Sequence, residues 1–523
     1  LIAIVTIAAR LMGFIRWGVF SGAVGSTATG SAYTAANALP NVLFEVAVGG
    51  ILASVAVPLL AAPLAKELKG GASQTASALM TWTLTVLVPL GVALALAARP
   101  LADLVVDAAV DAAHPGTRHL AASLIAVFAL QVPLYGIGVV ASGVLQAAKR
   151  FFWPAAAPLA SSLTVTGVYI WFARLAAGQQ DSPRALSGAA TAVLGWGTTA
   201  GVVMLTLPLL VPLYRTGIRL RPTYRFAPGT ARRAAGLVGA GVAGLVAQQL
   251  FVLTSVMVAS RFGPTGALPV FHYAQAVYLL PFAVLVAPVA TAAFPHLATY
   301  EKPDSAEFKD LTARTTRIVL TVAAAGAAGL IAAAPSVERA FAAIDPGVVK
   351  GLSFTLTGLS VGLIGYGLMN HLQRVLYAAG NSGLAGGGVA AGWLTAAAVA
   401  LLAVGSGASA LASLGWGSAV GMTLGGVVLL VGLRRRLGSL ALEGLARTAL
   451  VVLTSGAAGA LVGRLVTVWM TGLFPPSGAS GVGALGAIGA GTVGALAGLM
   501  VIGGLVFAFD RGVIGALRER SKA

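Results

Sequence analysis

The sequence predicts an all-α polytopic membrane protein with about fourteen transmembrane helices. Of its 523 residues, 58% are hydrophobic and only 9% are charged, whereas about 25% are charged in a typical soluble domain. The mean hydropathy is +0.92 over the whole length, which is typical of many membrane spans rather than one anchor. Apolar runs of helical length also recur from one end of the chain to the other. Together these three observations define the fold class.

Fourteen apolar runs are long enough to cross a bilayer as helices. They lie at 1–24, 31–62, 76–97, 118–148, 154–178, 187–214, 231–260, 267–298, 312–334, 351–379, 384–405, 408–433, 444–470 and 484–509. Several exceed the roughly 20 residues that a span needs, so we expect those helices to tilt or to extend into the interface.

The composition also excludes several classes of function. The chain has no cysteine, so it can form neither disulfides nor thiolate metal sites. Its five histidines show no metal-ligand spacing, and we expect no metal and no cofactor. The sequence has no nucleophile–base pair and no phosphate-binding loop, so we do not expect an enzyme.

The basic residues predict the orientation of the chain in the membrane. A net charge of +18 would suggest nucleic acid in a soluble protein, but these residues lie in short loops between apolar runs, so we expect no nucleic-acid partner. With a cytoplasmic N-terminus, 22 of the 33 Lys and Arg fall in inside loops and the C-terminal tail, and seven fall in outside loops. The positive-inside rule therefore predicts a multi-pass plasma-membrane protein with both termini cytoplasmic. The first large outside loop carries Asp103, Asp107 and Asp111 and is interpreted as a solvated loop without a catalytic role.

Internal repeats predict two related lobes. LGWG occurs at 194–197 and again at 414–417, YG at 135–136 and 366–367, and ALP at 38–40 is echoed by LLP at 279–281. Six spans per repeat give both lobes the same orientation, with a substrate site expected between them near the middle of the membrane. The predicted domains are an N-lobe at 1–225, a C-lobe at 226–437, and two extra spans with a basic tail at 438–523.

Charged residues inside predicted spans identify the candidate site. The topology count assigns four basic residues to spans rather than to loops: Arg10, Arg16, Arg374 and Arg464. Because a charge there costs about 2.5–3.5 kcal/mol, it normally faces a partner or a watery cavity. Arg10 and Arg16 are about 120° apart around a helix, so both can line one wide cavity. The alternative is that they extend to the cytoplasmic edge and anchor the topology.

Within the stretch from Arg10 to Pro58, Arg10, Gly13 and Arg16 have the spacing R-x-x-G-x-x-R, and Leu39-Pro40-Asn41 follows in the next span. With these two motifs the chain resembles the MurJ/MviN family of lipid II flippases, part of the multidrug/oligosaccharidyl-lipid/polysaccharide exporter superfamily, whose first-span motif has a serine where this chain has Ala9. The fourteen spans and two six-helix lobes fit the family as well, so the resemblance covers the whole chain.

The resemblance implies a flippase that moves lipid II, an undecaprenyl-diphosphate-linked muropeptide, across the plasma membrane by alternating access. Arginines would hold the diphosphate, because the planar guanidinium forms bidentate bonds with phosphate oxygens, while the tail stays among the membrane lipids. The substrate-binding candidates are Arg10, Arg16, Asn41, Glu45, Gln275 and Arg374.

The chain departs from the family pattern at several of these positions. Phe44 and Glu45 stand where many members carry an arginine, and Gln275-Ala276 stands where members often have Asp-Arg. We expect Glu45 to pair with Arg10 or Arg16, ahead of a role in proton exchange or in orienting a helix. Arg374 lies near the cytoplasmic end of its span, so an anchoring role is as consistent with the sequence as a ligand role. Some members of the family that the chain resembles bind sodium through carboxylates of the seventh and eleventh spans. Those spans have no Asp or Glu here, so membrane potential is the simpler driving force for transport.

Three functions follow from these observations. The first is a flippase for the lipid-linked peptidoglycan precursor. The second is a drug or organic-cation antiporter of the same superfamily, which would need buried carboxylates, and Glu45 is the one acidic residue in the middle of a predicted span. The third is a non-transporting paralogue that scaffolds cell-wall synthesis proteins, suggested by the missing cavity arginines.

Overall fold

The computed structural model describes residues 2–49, 60, 69–226, 242–300, 303–345, 347–348, 350–473 and 481–510. All regular secondary structure in these ranges is helical. Thirteen of the described helical segments are long and apolar enough to cross a membrane, and they coincide with thirteen of the predicted spans. The fold class is therefore confirmed.

The remaining predicted span, 31–62, begins on a described helix but continues into residues outside the described ones, so the count of fourteen stays a prediction. Several basic residues used in the topology count also lie outside the described ranges: Lys66, Arg232, Arg233, Lys302, Arg511, Arg518, Arg520 and Lys522.

Contacts divide the chain into two units. The first contains Leu1–Leu245 with Pro264–Pro269, and the second contains Val246–Gly263 with Val270–Ala523. The helices whose residues lie in the first unit are α1 Ile2–Ala23, α2 Ala28–Phe44, α3 Lys69–Leu96, α4 Ala98–Val105, α5 Ala108–Ala113, α6 Thr117–Phe128, α7 Gln131–Ala147, α8 Phe152–Ala176, α9 Gly188–Thr206 and α10 Leu210–Tyr214. Those wholly or mainly in the second are α11 Val242–Phe262, α12 Ala267–Pro281, α13 Ala287–Ala298, α14 Ala306–Ile344, α15 Leu352–Ala378, α16 Ser382–Gly405, α17 Ala410–Leu437, α18 Leu445–Leu473 and α19 Gly481–Phe509.

Two segments differ from the sequence-based expectation. The predicted loop with three aspartates forms the short helices α4 and α5, and Asp107 caps α5 by accepting from the Ala109 N–H at 2.8 Å. Helix α14 is longer than the predicted span 312–334, since Ser305 caps its N-terminus and Asp310 pairs with Arg314 one turn later at 2.9 Å.

In the first unit, α1 packs mainly against α8, and α2 packs against α6 and α7. Helix α9 also packs on α8. This arrangement matters for the site, because the predicted site residues of α1 and α2 lie on helices that have different main partners.

In the second unit, glycines let helices approach closely. A Cβ at Gly365 of α15 would lie 2.5 Å from the Met422 carbonyl oxygen of α17, and a Cβ at Gly459 of α18 would lie 2.6 Å from the Gly498 carbonyl oxygen of α19. Glycines such as Gly459 and Gly498 in the last two predicted spans therefore allow close helix packing.

The second span of each predicted repeat contains a proline followed by a π-helical turn. In α2, Pro40 precedes the π turn Glu45–Gly49. In the second unit, Pro281 immediately precedes the π turn Phe282–Val286. Proline and π turns both interrupt the regular hydrogen bonding of a helix. The two spans therefore share a local irregularity, close to the similar sequences ALP at 38–40 and LLP at 279–281.

Candidate functional site

Arg10 and Arg16 lie on a face of α1 that is separate from its outward apolar stripe. Ile4, Ile7, Leu11 and Ile15 form that stripe and are 68%, 60%, 53% and 50% exposed. At 3.6 residues per turn, the midpoint between the two arginines is roughly 165° away from the stripe. The two arginine side chains therefore leave the helix in a different direction from the apolar side chains, which are suited to contact with acyl chains.

The space in front of this face is open. Gly13 lies between the arginines, about 60° from each around the helix axis. A Cβ built on Gly13 would meet no heavy atom of the described chain within 4 Å. On the face with Arg10, Gly13 and Arg16, here called the polar face of α1, no described side chain therefore packs against Gly13.

The two arginines of the polar face differ from the other in-span arginines in their bonding. Arg374 donates from Nη1 to Asn370 Oδ1 at 2.6 Å, and Arg464 donates from Nη1 to Thr357 Oγ1 at 3.4 Å. Within the described ranges, Arg10 and Arg16 make no hydrogen bond or ion pair. A guanidinium in an apolar span without a protein partner requires water or a ligand to satisfy its donors.

Arg16 also lies near a set of hydroxyl groups. The phenols of Tyr33 and Tyr135 lie within electrostatic range of its guanidinium. The Tyr33 hydroxyl is 2.8 Å from the Tyr169 hydroxyl and 3.1 Å from Thr198 Oγ1. The surroundings of Arg16 are consequently polar on the protein side as well as open on the ligand side.

A second polar chain extends from Tyr135. Its hydroxyl donates to Gln131 Oε1 at 3.3 Å, and Gln131 Nε2 donates to Thr199 Oγ1 at 3.1 Å. Gln131 is fully buried, so the bond to Thr199 satisfies an amide that would otherwise destabilise this part of the membrane core.

The expected ion pair of Glu45 is wrong. Glu45 is half-buried at the start of the π turn after α2, and among the described ion pairs none joins it to Arg10 or Arg16. The reason is packing, since α1 has α8 as its main partner and α2 has α6 and α7. Glu45 therefore does not neutralise the polar face.

Asn41 is engaged within its own helix. Its Nδ2 donates to the Asn37 carbonyl oxygen at 2.8 Å, one turn earlier on α2. Because an amide nitrogen has two protons and the side chain also has an acceptor oxygen, Asn41 keeps further bonding capacity.

Gln275 and Arg374 belong to the second unit and are also bonded close to their own positions. Gln275 lies within hydrogen-bonding reach of His272, one turn earlier on α12, and Arg374 is bonded to Asn370 on α15. Beside Arg374, His371 is fully buried and its Nε2 is 3.1 Å from Thr315 Oγ1. These local interactions give Gln275 and Arg374 a structural role that does not depend on substrate binding.

The sequence analysis missed the tyrosines around Arg16. Tyr33 and Tyr169 lie in the first unit with their hydroxyls paired, and neither had been named as a site residue. Their presence inside long apolar runs was a usable signal, since a buried tyrosine hydroxyl generally needs a hydrogen-bond partner.

Comparison with known proteins identifies the family. The family model described as "Lipid II flippase MurJ" matches residues 20–480. The chain belongs to this family. It is 30% identical over 234 residues to the "Probable lipid II flippase MurJ" of Synechocystis sp., covering 44% of this chain and 42% of that protein. It is 26% identical over 375 residues to the protein of the same name from Rhizobium meliloti, covering 69% of this chain and 66% of that one. The chain thus spans less than two thirds of the length of these two MurJ relatives.

Solved structures show the same fold. A lipid II flippase MurJ in an inward closed conformation matches with a TM-score of 0.73 at 17% identity, over 98% of this chain and 99% of that one. An inward-facing multidrug resistance MATE transporter of the MOP superfamily matches with a TM-score of 0.60 at 16% identity, over 84% and 99%. The second match extends the fold likeness of this MurJ family member to the wider superfamily.

Proposed function

We propose that the chain is a flippase that carries lipid II across the bacterial plasma membrane by alternating access. One observation carries the proposal: Arg10 and Arg16 lie inside an apolar span, on an open face, without a described protein partner. The diphosphate of lipid II is a ligand that satisfies such guanidinium groups. Membership of the MurJ family supports this substrate over other phosphate-bearing lipids.

Arginine suits this task for chemical reasons. The guanidinium remains charged in an apolar setting and donates two parallel bonds to a phosphate group. The undecaprenyl tail remains in the membrane lipid, so only the headgroup needs a polar environment, and no covalent chemistry is required.

We assign the diphosphate to Arg10 and Arg16 and propose subsidiary contacts for Asn41, Gln275 and Arg374. The amides keep donors or acceptors beyond their local bonds, and Arg374 uses one Nη1 bond to Asn370, whereas a guanidinium has five N–H donors. Glu45 is proposed to lie beside the substrate path rather than to bind phosphate, because a carboxylate would repel it.

We propose that both termini are cytoplasmic, and the charges of the first unit support this orientation. At one end of its helices, Arg150 bonds to the Arg215 carbonyl at 3.2 Å, and Arg219 and Arg221 bond through their backbone to Ser73 and Ser77. At the other end, Asp181 accepts from the Ala28 N–H at 3.0 Å, and Asp103, Asp107 and Asp111 occupy the α4–α5 region. The first end carries the arginines, and the positive-inside rule places such a basic end in the cytoplasm, which agrees with a cytoplasmic N-terminus.

We further propose the division into two six-span lobes, 1–225 and 226–437, with 438–523 as an addition. The π turns after Pro40 and at Pro281 support the repeat, because the same irregularity occurs in the second span of each half. Cell-wall synthesis proteins are proposed as partners on the basis of the pathway that uses lipid II.

The two alternative functions have less support. An antiporter for cations needs a carboxylate that attracts them, and the face that is open on α1 is positive instead. A purely scaffolding role leaves the unpaired in-span arginines without a purpose that offsets their insertion cost.

Complementation of a flippase-depleted bacterium tests the proposal. The wild-type gene is expected to restore growth and cell shape, and Arg10→Ala and Arg16→Ala are expected to fail at equal membrane abundance. Arg464→Ala is the matched control, since Arg464 is also inside a span but bonds to Thr357. Full complementation by Arg10→Ala together with Arg16→Ala in one chain would refute the role of the polar face.

A further inference from the structure

A second basic site lies in the first unit, away from the polar face of α1. It is a cavity of about 820 Å³ at the end of α10 and the segment that follows it. Its lining includes Val211, Tyr214, Ile218, Arg215, Arg219 and Arg221. This cavity, here called the arginine cavity, shares no residue with the proposed lipid II site.

The turn after α10 gives the cavity its shape. The chain reverses at Gly217, whose φ of 82° is in the left-handed region that favours glycine. Arg150 secures the turn by donating to the carbonyl oxygens of Pro212 at 3.4 Å and Arg215 at 3.2 Å. Because Arg150 holds the backbone, the side chains of Arg215, Arg219 and Arg221 remain exposed.

The segment 219–225 is held against α3 by side chains spaced one helical turn apart. Arg221 N–H donates to Ser77 Oγ at 2.9 Å, and Thr223 N–H donates to Thr81 Oγ1 at 3.0 Å. Arg219 N–H donates to Ser73 Oγ at 3.3 Å. The arginines are therefore displayed from a fixed backbone rather than from an unattached loop.

The arginine cavity lies at the end of a membrane span. Tyr214 is the last residue of the span Gly188–Tyr214, lines the cavity and is 73% exposed. Tryptophan and tyrosine collect at the level of lipid headgroups. Val211, which is 57% exposed, lies in the last turns of the membrane span Gly188–Tyr214 and so offers an apolar wall toward the acyl chains.

The stretch of chain that lines the cavity carries only basic charges. The sequence has no Asp or Glu between residues 182 and 300, so the three arginines have no carboxylate from their own stretch of chain. A basic group beside an apolar wall at the headgroup level fits a ligand with a phosphate and an attached acyl chain.

We propose that the arginine cavity binds the phosphate headgroup of an anionic glycerophospholipid, with an acyl chain along Val211 and Tyr214. With the proposed topology, this is a lipid of the cytoplasmic leaflet. The exposed apolar wall favours a lipid over an acidic protein segment, because it continues the surface of a membrane span. The site does not depend on flippase activity.

Lipid binding to the full chain tests the site directly. The purified protein in a non-ionic detergent is titrated with phosphatidylglycerol or phosphatidylcholine of the same acyl chains, and bound lipid is counted by native mass spectrometry. The test variant carries Arg215→Gln, Arg219→Gln and Arg221→Gln. The control carries Arg434→Gln, Arg435→Gln and Arg436→Gln, which removes the same charge from three exposed residues at the end of α17.

We expect the wild type to prefer phosphatidylglycerol by about tenfold or more, as three nearby arginines imply. The test variant should lose this preference and the control should keep it, with unchanged thermal unfolding midpoints. Millimolar inorganic phosphate should not displace the lipid, because it lacks the acyl chain. The proposal would be overturned if both variants lost the preference for phosphatidylglycerol equally, or if inorganic phosphate displaced the bound lipid. It would also be overturned if the test variant lost binding of undecaprenyl diphosphate to the same extent. Absence of any preference in the wild type would also overturn it and would leave an acidic protein segment as the occupant.

Discussion

The hydroxyl oxygens of Tyr33 and Tyr169 lie 2.8 Å apart in the buried core of the first unit. Thr198 donates to the Leu194 carbonyl oxygen at 2.6 Å, so its proton is used and it must accept from Tyr33. Tyr33 then accepts from Tyr169. The resulting chain of donors links α2, α8 and α9 and satisfies each of these hydroxyl protons in a part of the protein without bulk water.

Removing the central hydroxyl should destabilise the first unit. Tyr33→Phe breaks two interhelical bonds, at 2.8 and 3.1 Å, and we expect unfolding to become easier by about 1–2 kcal/mol. Thermal unfolding in detergent measures the change. Tyr214→Phe is the control, because Tyr214 is 73% exposed. Equal midpoints for the wild type and Tyr33→Phe would show that the chain of donors contributes nothing.

The close approach of α15 and α17 should make Gly365 intolerant of a side chain. A Cβ there would lie 2.5 Å from both the Met422 carbonyl oxygen and Thr423 Cα, so Gly365→Ala must push two helix backbones apart. We expect a loss of about 2 kcal/mol or more, or a failure to accumulate in the membrane.

Gly387→Ala provides the matched comparison for that change. Gly387 lies inside α16, and a Cβ there meets nothing within 4 Å among the described atoms. Alanine should be neutral or stabilising by up to about 1 kcal/mol, because it favours helix more than glycine does. If both variants behave alike in thermal unfolding, helix contact is not the reason that Gly365 is required.

Glu45→Gln should leave lipid II transport within about twofold of the wild type, since a group without an ion-pair partner loses little coupling free energy when neutralised. Surface exposure of lipid II in cells that depend on the variant measures this. Abolished activity in Glu45→Gln would instead favour a proton- or cation-coupled carrier.

Sequence alone predicted thirteen described spans because the length of an apolar run is set by bilayer thickness. It also located Arg10 and Arg16, since charges inside such runs are readily visible. It did not predict the interruption between α6 and α7, within the segment 117–147, nor the helices α4 and α5. These depend on local hydrogen bonds, such as the cap at Asp107, that composition does not specify.

The error over Glu45 has a different origin. Opposite charges in neighbouring spans suggest an ion pair, but which helices touch is decided by long-range packing. Helix α1 packs mainly on α8, which lies more than one hundred residues away along the sequence. With this packing, Arg16 lies near Tyr33 and forms no ion pair with Glu45. The arginine cavity was unpredictable for the same reason, because the attachment of 219–225 to α3 joins segments over 140 residues apart.

Direct binding of lipid II to the purified full chain tests the central claim. The variants are Arg10→Gln and Arg16→Gln, compared with Arg464→Gln, and each must retain the unfolding midpoint of the wild type. Loss of a charge-assisted bond to the diphosphate should weaken binding by about tenfold or more for each of the first two variants, whereas Arg464→Gln should bind as the wild type does. Unchanged affinity in the double variant Arg10→Gln with Arg16→Gln would contradict the account.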